Sequence, residues 1–155
     1  MFETTCSNAV ERYTRLTDKK HDIDIDFQFN KNEDPSKSPL KSMPQRGWVQ
    51  GNRDDSGLWK VSPFGPIRMP YPIIELDADG YDWVVVGHEG RDYAWIMSRK
   101  PVMDDELYNS LKTKLAEKHG YDSLEGLRKV PQVWTREERE KRGLVNEIAD
   151  EFLKK

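Results

Sequence analysis

The chain has 155 residues, 34% of them charged and 35% hydrophobic, with a single cysteine and a formal net charge of −3. That length suits one domain with a substantial core, and without a basic stripe to neutralise phosphates a duplex-DNA or RNA binder is excluded. Cys6 alone excludes an internal disulfide, no apolar run approaches a membrane span, and no basic, apolar leader opens the sequence as given.

Residues 7–17, SNAVERYTRLT, alternate Ala9, Glu11 and Tyr13 with Val10, Arg12 and Thr14, and read as a strand. HDIDIDFQFN, residues 21–30, alternates more strictly: Ile23, Ile25, Phe27 and Phe29 share one face, Asp22, Asp24, Asp26 and Gln28 the other. Three aspartates beside His21 raise a divalent metal site, but along a straight strand they spread over a flat surface instead of converging on an ion. A solvated face is the expectation, and no metal is called for. NKNEDPSKSPLKSMPQ, residues 30–45, is polar with three prolines and reads as a loop or a loosely paired edge. Strand character resumes near Trp48, and NRDDSG turns the chain into residues 57–101.

That block holds four strands rich in Val, Ile, Tyr and Trp: Leu58 to Ser62, Tyr71 to Asp77, Tyr81 to Gly87 and Tyr93 to Arg99. The connections Asp77 to Gly80 and His88 to Arg91 are too short for a parallel crossover, so antiparallel neighbours are expected. The last two strands are apolar on both faces and must be covered twice, by a barrel lumen inside and a helix outside. A helix at about 104–119 follows, with Asp104 as N-cap and Leu107, Leu111 and Leu115 at a spacing of four, before Gly120 ends it.

FGPIRMPYPIIELD, YDWVVV and RDYAWIMSRKP, with that helix, resemble the second half of a lipocalin of the bacterial outer-membrane and apolipoprotein D-like type. The likeness extends more weakly through FETTCSNAVERYTRL and GWVQGN and ends near Pro131 and Gln132. It implies a mostly β fold over residues 1–132, an up-and-down antiparallel lipocalin-like β-barrel (a calycin) with one wall helix. The family's first strand carries a Gly-X-Trp-Tyr motif, and no Gly-X-Trp precedes residue 47. Seven strands are therefore expected, with a gap that a longer reading frame or another segment of this chain would fill.

By the same resemblance the inward residues are Trp48, Trp59, Val61, Trp83, Val85, Tyr93, Trp95 and Met97, with Tyr93 and Trp95 leading. These side chains either line a pocket or fill a core, since a small barrel has room for one or the other. A one-residue slip would exchange every side chain of strand 81–87. The loops Pro63 to Pro70 and His88 to Asp92 fall at the mouth. Phe64, Ile67 and Met69 there suit an acyl-chain portal beside the cations Arg68, His88 and Arg91, or else pack beneath the loop. Arg99 matches the family's structural arginine, which stacks on the Trp of the first strand.

The tail, residues 133–155, departs from the likeness. Thr135 and Glu138 form a capping box, and Leu144, Val145, Ile148, Ala149 and Phe152 make a stripe at helical spacing, weakened by Gly143. Six basic and six acidic residues from Arg136 onward disfavour a membrane-surface helix. An amphipathic helical extension docking on the barrel or on a second subunit is expected.

Catalysis has little support, for no nucleophile elbow, paired-Cys metal spacing or phosphate loop is present. His88, Asp92 and Ser98 assemble into a hydrolytic set only on paper. Taken with the likeness, the expected function is reversible binding, carriage or storage of a fatty acid, lysophospholipid or similar ligand, with no cofactor. The alternative is an interaction module with a filled or incomplete barrel that assembles, for instance as a homodimer, through its tail. An enzyme acting on lipid ranks third. The likeness places the protein outside the cytoplasm or peripheral to a membrane.

Overall fold

In a computed structural model, which describes residues 5–17, 20–52, 54 and 56–155, seven antiparallel strands form one meander. They are β1 (Ser7–Arg15), β2 (Ile23–Asn30), β3 (Leu40–Val49), β4 (Leu58–Ser62), β5 (Met69–Leu76), β6 (Trp83–Val86) and β7 (Trp95–Ser98), each bonded to its neighbour in sequence. The sheet curls into a half-barrel. Its end strands do not pair, yet Tyr13 on β1 sets its hydroxyl 3.8 Å from Met97 Sδ on β7. Arg53 and Asp55 of the expected turn into the central block lie outside the described residues.

The strict alternation of β2 is what turns one face inward. Ile23, Ile25, Phe27 and Phe29 are all buried, with Ile23 and Ile25 packing beside Val61 and the phenylalanines beside Cys6. Opposite Ile23 stands Gly47, where a Cβ would come within 3.3 Å of the Ile23 Cβ. On the outer face the three aspartates are engaged separately. Asp22 accepts from the Val49 N–H, Asp24 from His21, and Asp26 from Gln28 and Ser42.

The polar, proline-bearing stretch 30–45 is less irregular than expected, since β3 begins at Leu40 and carries Pro44. Pro44 pairs with Asp26, whereas β4 pairs only from Arg46 onward, so the missing N–H falls where no fourth strand asks for it. Pro70 and Pro72 use the same device in β5. That strand pairs with β4 over Met69 to Pro72 and with β6 over Ile73 to Leu76, shifting register between Ile73 and Glu75.

Helix α1 (Asp105–Glu117) covers the outer face of β6 and β7. Asp104 caps it by accepting from the Glu106 and Leu107 N–H groups, and Gly120 leaves it at φ +69. Leu111 and Leu115 are fully buried against Val85 and Tyr121. Electrostatics secure the other end, where Glu75 on β5 receives Lys118 Nζ at 2.6 Å, His119 Nε2 at 2.8 Å and Lys114 Nζ at 3.5 Å. The hydrogen bonds from Lys118 and His119 draw the Glu75 carboxyl down from 4.5 to about 2. Because its folded value lies below its unfolded one, its contribution is complete above about pH 4.5 and is lost as the pH falls toward 2. Glu75→Gln is expected to remove about 1.5–3 kcal/mol at neutral pH, the range for hydrogen bonds to a charged group, and to flatten the loss of stability across that window. Urea midpoints measured from pH 7 to 2 test this, and equal slopes for the two proteins would refute it.

From α1 the chain crosses to the opposite edge of the sheet. Leu124 and Leu127 pack with the helix cluster, while Val130 packs on Cys6, Phe27 and Phe29. No strand forms over Leu127 to Gln132, and the contact with β1 rests on one residue at its bulge. Asn8, at φ 49, donates its N–H to the Pro131 carbonyl and exchanges two side-chain hydrogen bonds with the Val133 backbone.

The tail docks on its own chain. The expected long helix is only α2 (Arg136–Lys141), capped by Thr135, since Gly143 at φ +65 ends it. Leu144 and Ile148 still turn inward onto Trp134 and Val10, whereas Val145 is 50% exposed. Arg142 donates to the Asn8 carbonyl beneath this cluster, and burial holds its pKa below the usual guanidinium value.

Candidate ligand-binding face

Strand register decides which side chains share the concave face. From β1 to β7 that face carries Glu11 and Tyr13, then Ile23 and Ile25, Val49, Trp59 and Val61, Tyr71, and Trp95 with Met97. The aromatic rings run in an unbroken row. Tyr13 meets Trp59 at 6.1 Å, Trp59 stacks on Tyr71 at 6.3 Å, and Tyr71 stacks on Trp95 at 6.0 Å. Tyr93 then meets Trp95 edge-on at 5.0 Å, and His88 stacks on Tyr93 at 4.1 Å. The row crosses the cleft, linking β1 through β4 and β5 to β7.

Two phenols tie a charge into the row. Glu11 accepts from the Tyr13 hydroxyl and, at 3.3 Å, from that of Tyr71, while the two hydroxyls lie 2.7 Å apart. A carboxylate here is kept on an otherwise apolar wall by its hydrogen bonds. Tyr13 and Tyr93 remain 36% and 39% exposed, so rings at both ends of the row can be touched from outside.

Trp59, Val61, Tyr93, Trp95 and Met97 stand on one side of the sheet, whereas the other three residues that the resemblance places inward point outward. Trp83 and Val85 pack against α1, because Val84 and Val86 pair with Met97 and Trp95 and take the concave side. Trp48 also lies outside: Gly47 and Val49 take the inward positions, and its indole donates to the Lys20 carbonyl beside His21. Tyr13, Tyr71 and Glu11 were absent from the expected set. Their signal was the period-two pattern of β1 and of Met69-Pro70-Tyr71-Pro72, in which the prolines mark the outward positions.

At the rim, Phe64 and Ile67 are 55% and 59% exposed on the loop between β4 and β5, which Ser62 braces through the Gly65 carbonyl, and Met69, 38% exposed, opens β5. The expected cations do not converge beside them. Arg68 lies 4.0 Å above the Trp48 ring on the outer face, and Arg91 donates to the His119 carbonyl at the end of α1. Arg99 donates to the Tyr81 carbonyl at 2.6 Å and so fastens the β5–β6 turn.

This geometry agrees with the comparisons. A family model described as a lipocalin-like domain matches residues 1–132. Temperature-induced lipocalin-1 of Arabidopsis thaliana is 30% identical over 129 residues, covering 73% of this chain and 68% of the relative. Outer membrane lipoprotein Blc of Citrobacter freundii is 31% identical over 121 residues, and that of Escherichia coli K12 is 28% identical over 121, each covering 78% of this chain and 66% of the relative. The chain thus spans about two thirds of the length of these relatives. With its antiparallel half-barrel, its single main helix and a family match over most of its length, the chain belongs to the lipocalin family.

Proposed function

We propose that the concave face binds a small hydrophobic ligand with one long apolar chain, a fatty acid or lysophospholipid, reversibly, for carriage or storage. The observation that carries this is the row of rings from Tyr13 to His88, polar only where Glu11 meets the Tyr13 and Tyr71 hydroxyls. Each methylene moved from water onto such a wall contributes about 0.8 kcal/mol before ordering costs are subtracted.

Binding without turnover is the reading the side chains favour. His88 sits 3.5 Å from Asp92, but Ser98 is paired with Trp83 on the opposite face, three residues beyond Trp95. Assembly through the tail is disfavoured because Leu144 and Ile148 are buried within the same chain. The exposed Phe64 and Ile67 suit a protein that works outside the cytoplasm or at a membrane surface, and no helix among the described residues is long and apolar enough to cross one.

The test is a titration of delipidated protein with oleate and with a single-chain lysophospholipid, followed by tryptophan emission. Saturable quenching at micromolar ligand is expected. A folded protein showing no saturable change with either ligand would remove this reading.

A further inference from the structure

The concave face is not the only apolar surface with a shape. On the outer wall, a groove of about 650 Å³ runs between the β4–β5 strands and the loop that leads from β6 into β7, a size within the range of small-molecule sites. Its floor is Leu58, Pro70, Pro72 and Ile74, with Leu58 61% exposed. The register sets Leu58 opposite Pro72 and Lys60 opposite Pro70. Prolines bring no N–H to this strip, and the polar backbone groups beside them are already used, the Ile73 N–H on the Gly57 carbonyl and the Pro72 carbonyl on the Gly87 N–H. The floor is therefore apolar, and from Pro70 to Ile74 it extends about 13 Å at about 3.3 Å per residue.

The rim of this groove is short of negative charge. Lys60 makes no ion pair among the described residues, and Arg91 donates only to the backbone carbonyls of His119 and Glu89. The half-buried Glu75, on the same strand as Pro70, Pro72 and Ile74, is committed to Lys114, Lys118 and His119. Glu89 is exposed on the lip and paired with neither cation. Arg91 is also held at φ 58, a conformation unusual for a side chain of its size, in the loop that forms the groove's wall. The Tyr121 hydroxyl fixes that loop by accepting from the His88 N–H and donating to the Tyr93 carbonyl.

We propose that this outer groove is a second binding site, which takes a single-chain anionic amphiphile with its acyl chain on Leu58, Pro70, Pro72 and Ile74 and its carboxylate between Lys60 and Arg91. The occupant follows from the combination of an exposed apolar strip and two cations without a carboxylate partner. Trp59 and His88 also line the groove, but Leu58, Lys60, Pro70, Pro72, Ile74 and Arg91 stand outside the aromatic row, so failure of this site would leave the reading of the concave face untouched.

Two measurements test it. Stearate carrying a nitroxide near its methyl end is added to the wild-type protein, and methyl resonances are followed by NMR. Those of Leu58 and Ile74 are expected to broaden, while those of Leu144 and Ile148, under the tail, do not. Oleate stoichiometry is then measured by calorimetry for the wild type, L58D and K60E. Either variant is expected to bind one oleate fewer, or to bind it there at least tenfold more weakly, with the tryptophan-reported site unchanged. Unbroadened Leu58 and Ile74 methyls, or the same stoichiometry in all three proteins, would overturn the proposal. So would a wild-type dimer that L58D converts to monomer without loss of oleate, since the groove would then seat a second copy of this chain.

Discussion

Trp134→Ala is expected to lower the unfolding free energy by about 3–5 kcal/mol, the range for removing a fully buried aromatic from a core. Trp134 is 1% exposed and packs with Leu144, Ile148 and Val10, while the Arg142 guanidinium lies 4.7 Å from its ring. Its backbone bridges Leu153, and its carbonyl accepts from the Lys154 N–H, so both ends of the tail meet at this residue. Alanine would leave a cavity under the tail and take from the buried Arg142 the face it covers. Since small domains are stable by only about 5–15 kcal/mol, the loss would be visible in a urea midpoint. The same change should speed tryptic cleavage at Arg139 and Arg142, both buried in the docked tail. An unchanged midpoint with unchanged cleavage would show that the tail contributes nothing to the fold.

Much of this architecture is legible in the chain. The strict alternation of Ile23 to Phe29, the Val- and Trp-rich strands of residues 57–101 and the leucines of α1 each carry a period that matches the observed element. The faces of the later strands were harder to assign. Trp83-Val84-Val85-Val86 is apolar throughout, so composition could not say which pair meets the helix, and the answer lies in the pairing of Val86 with Trp95. Trp48 is placed inward by the resemblance, yet Gly47 and Val49 take the inward positions, and a Cβ on Gly47 would come within 3.3 Å of the Ile23 Cβ. In the tail, Leu144 and Ile148 of the stripe are buried within the chain, and the left-handed backbone at Gly143 ends the helix that the spacing implies.

These assignments meet in the second large effect, that of Trp95→Ala on ligand binding. Trp95 stands inside the aromatic row, between Tyr71 at 6.0 Å and Tyr93 at 5.0 Å, and its removal divides a continuous apolar track into two short pieces. Losing the burial of one large apolar side chain is worth about 1.5–3 kcal/mol, which is about tenfold to a hundredfold in affinity for oleate. Trp83→Ala is the informative companion. That indole lies on the other side of the same sheet, in the cluster with Leu111 and Leu115 and 5.9 Å from Lys114 Nζ. Its truncation should lower stability by a few kcal/mol and leave oleate affinity within about twofold. Calorimetric titration of the two variants at the same protein concentration separates the faces. If Trp83→Ala weakened binding as much as Trp95→Ala, the ligand would be reading the helix-covered side or the stability of the whole sheet. A loss confined to Trp95→Ala would place the acyl chain on the concave row.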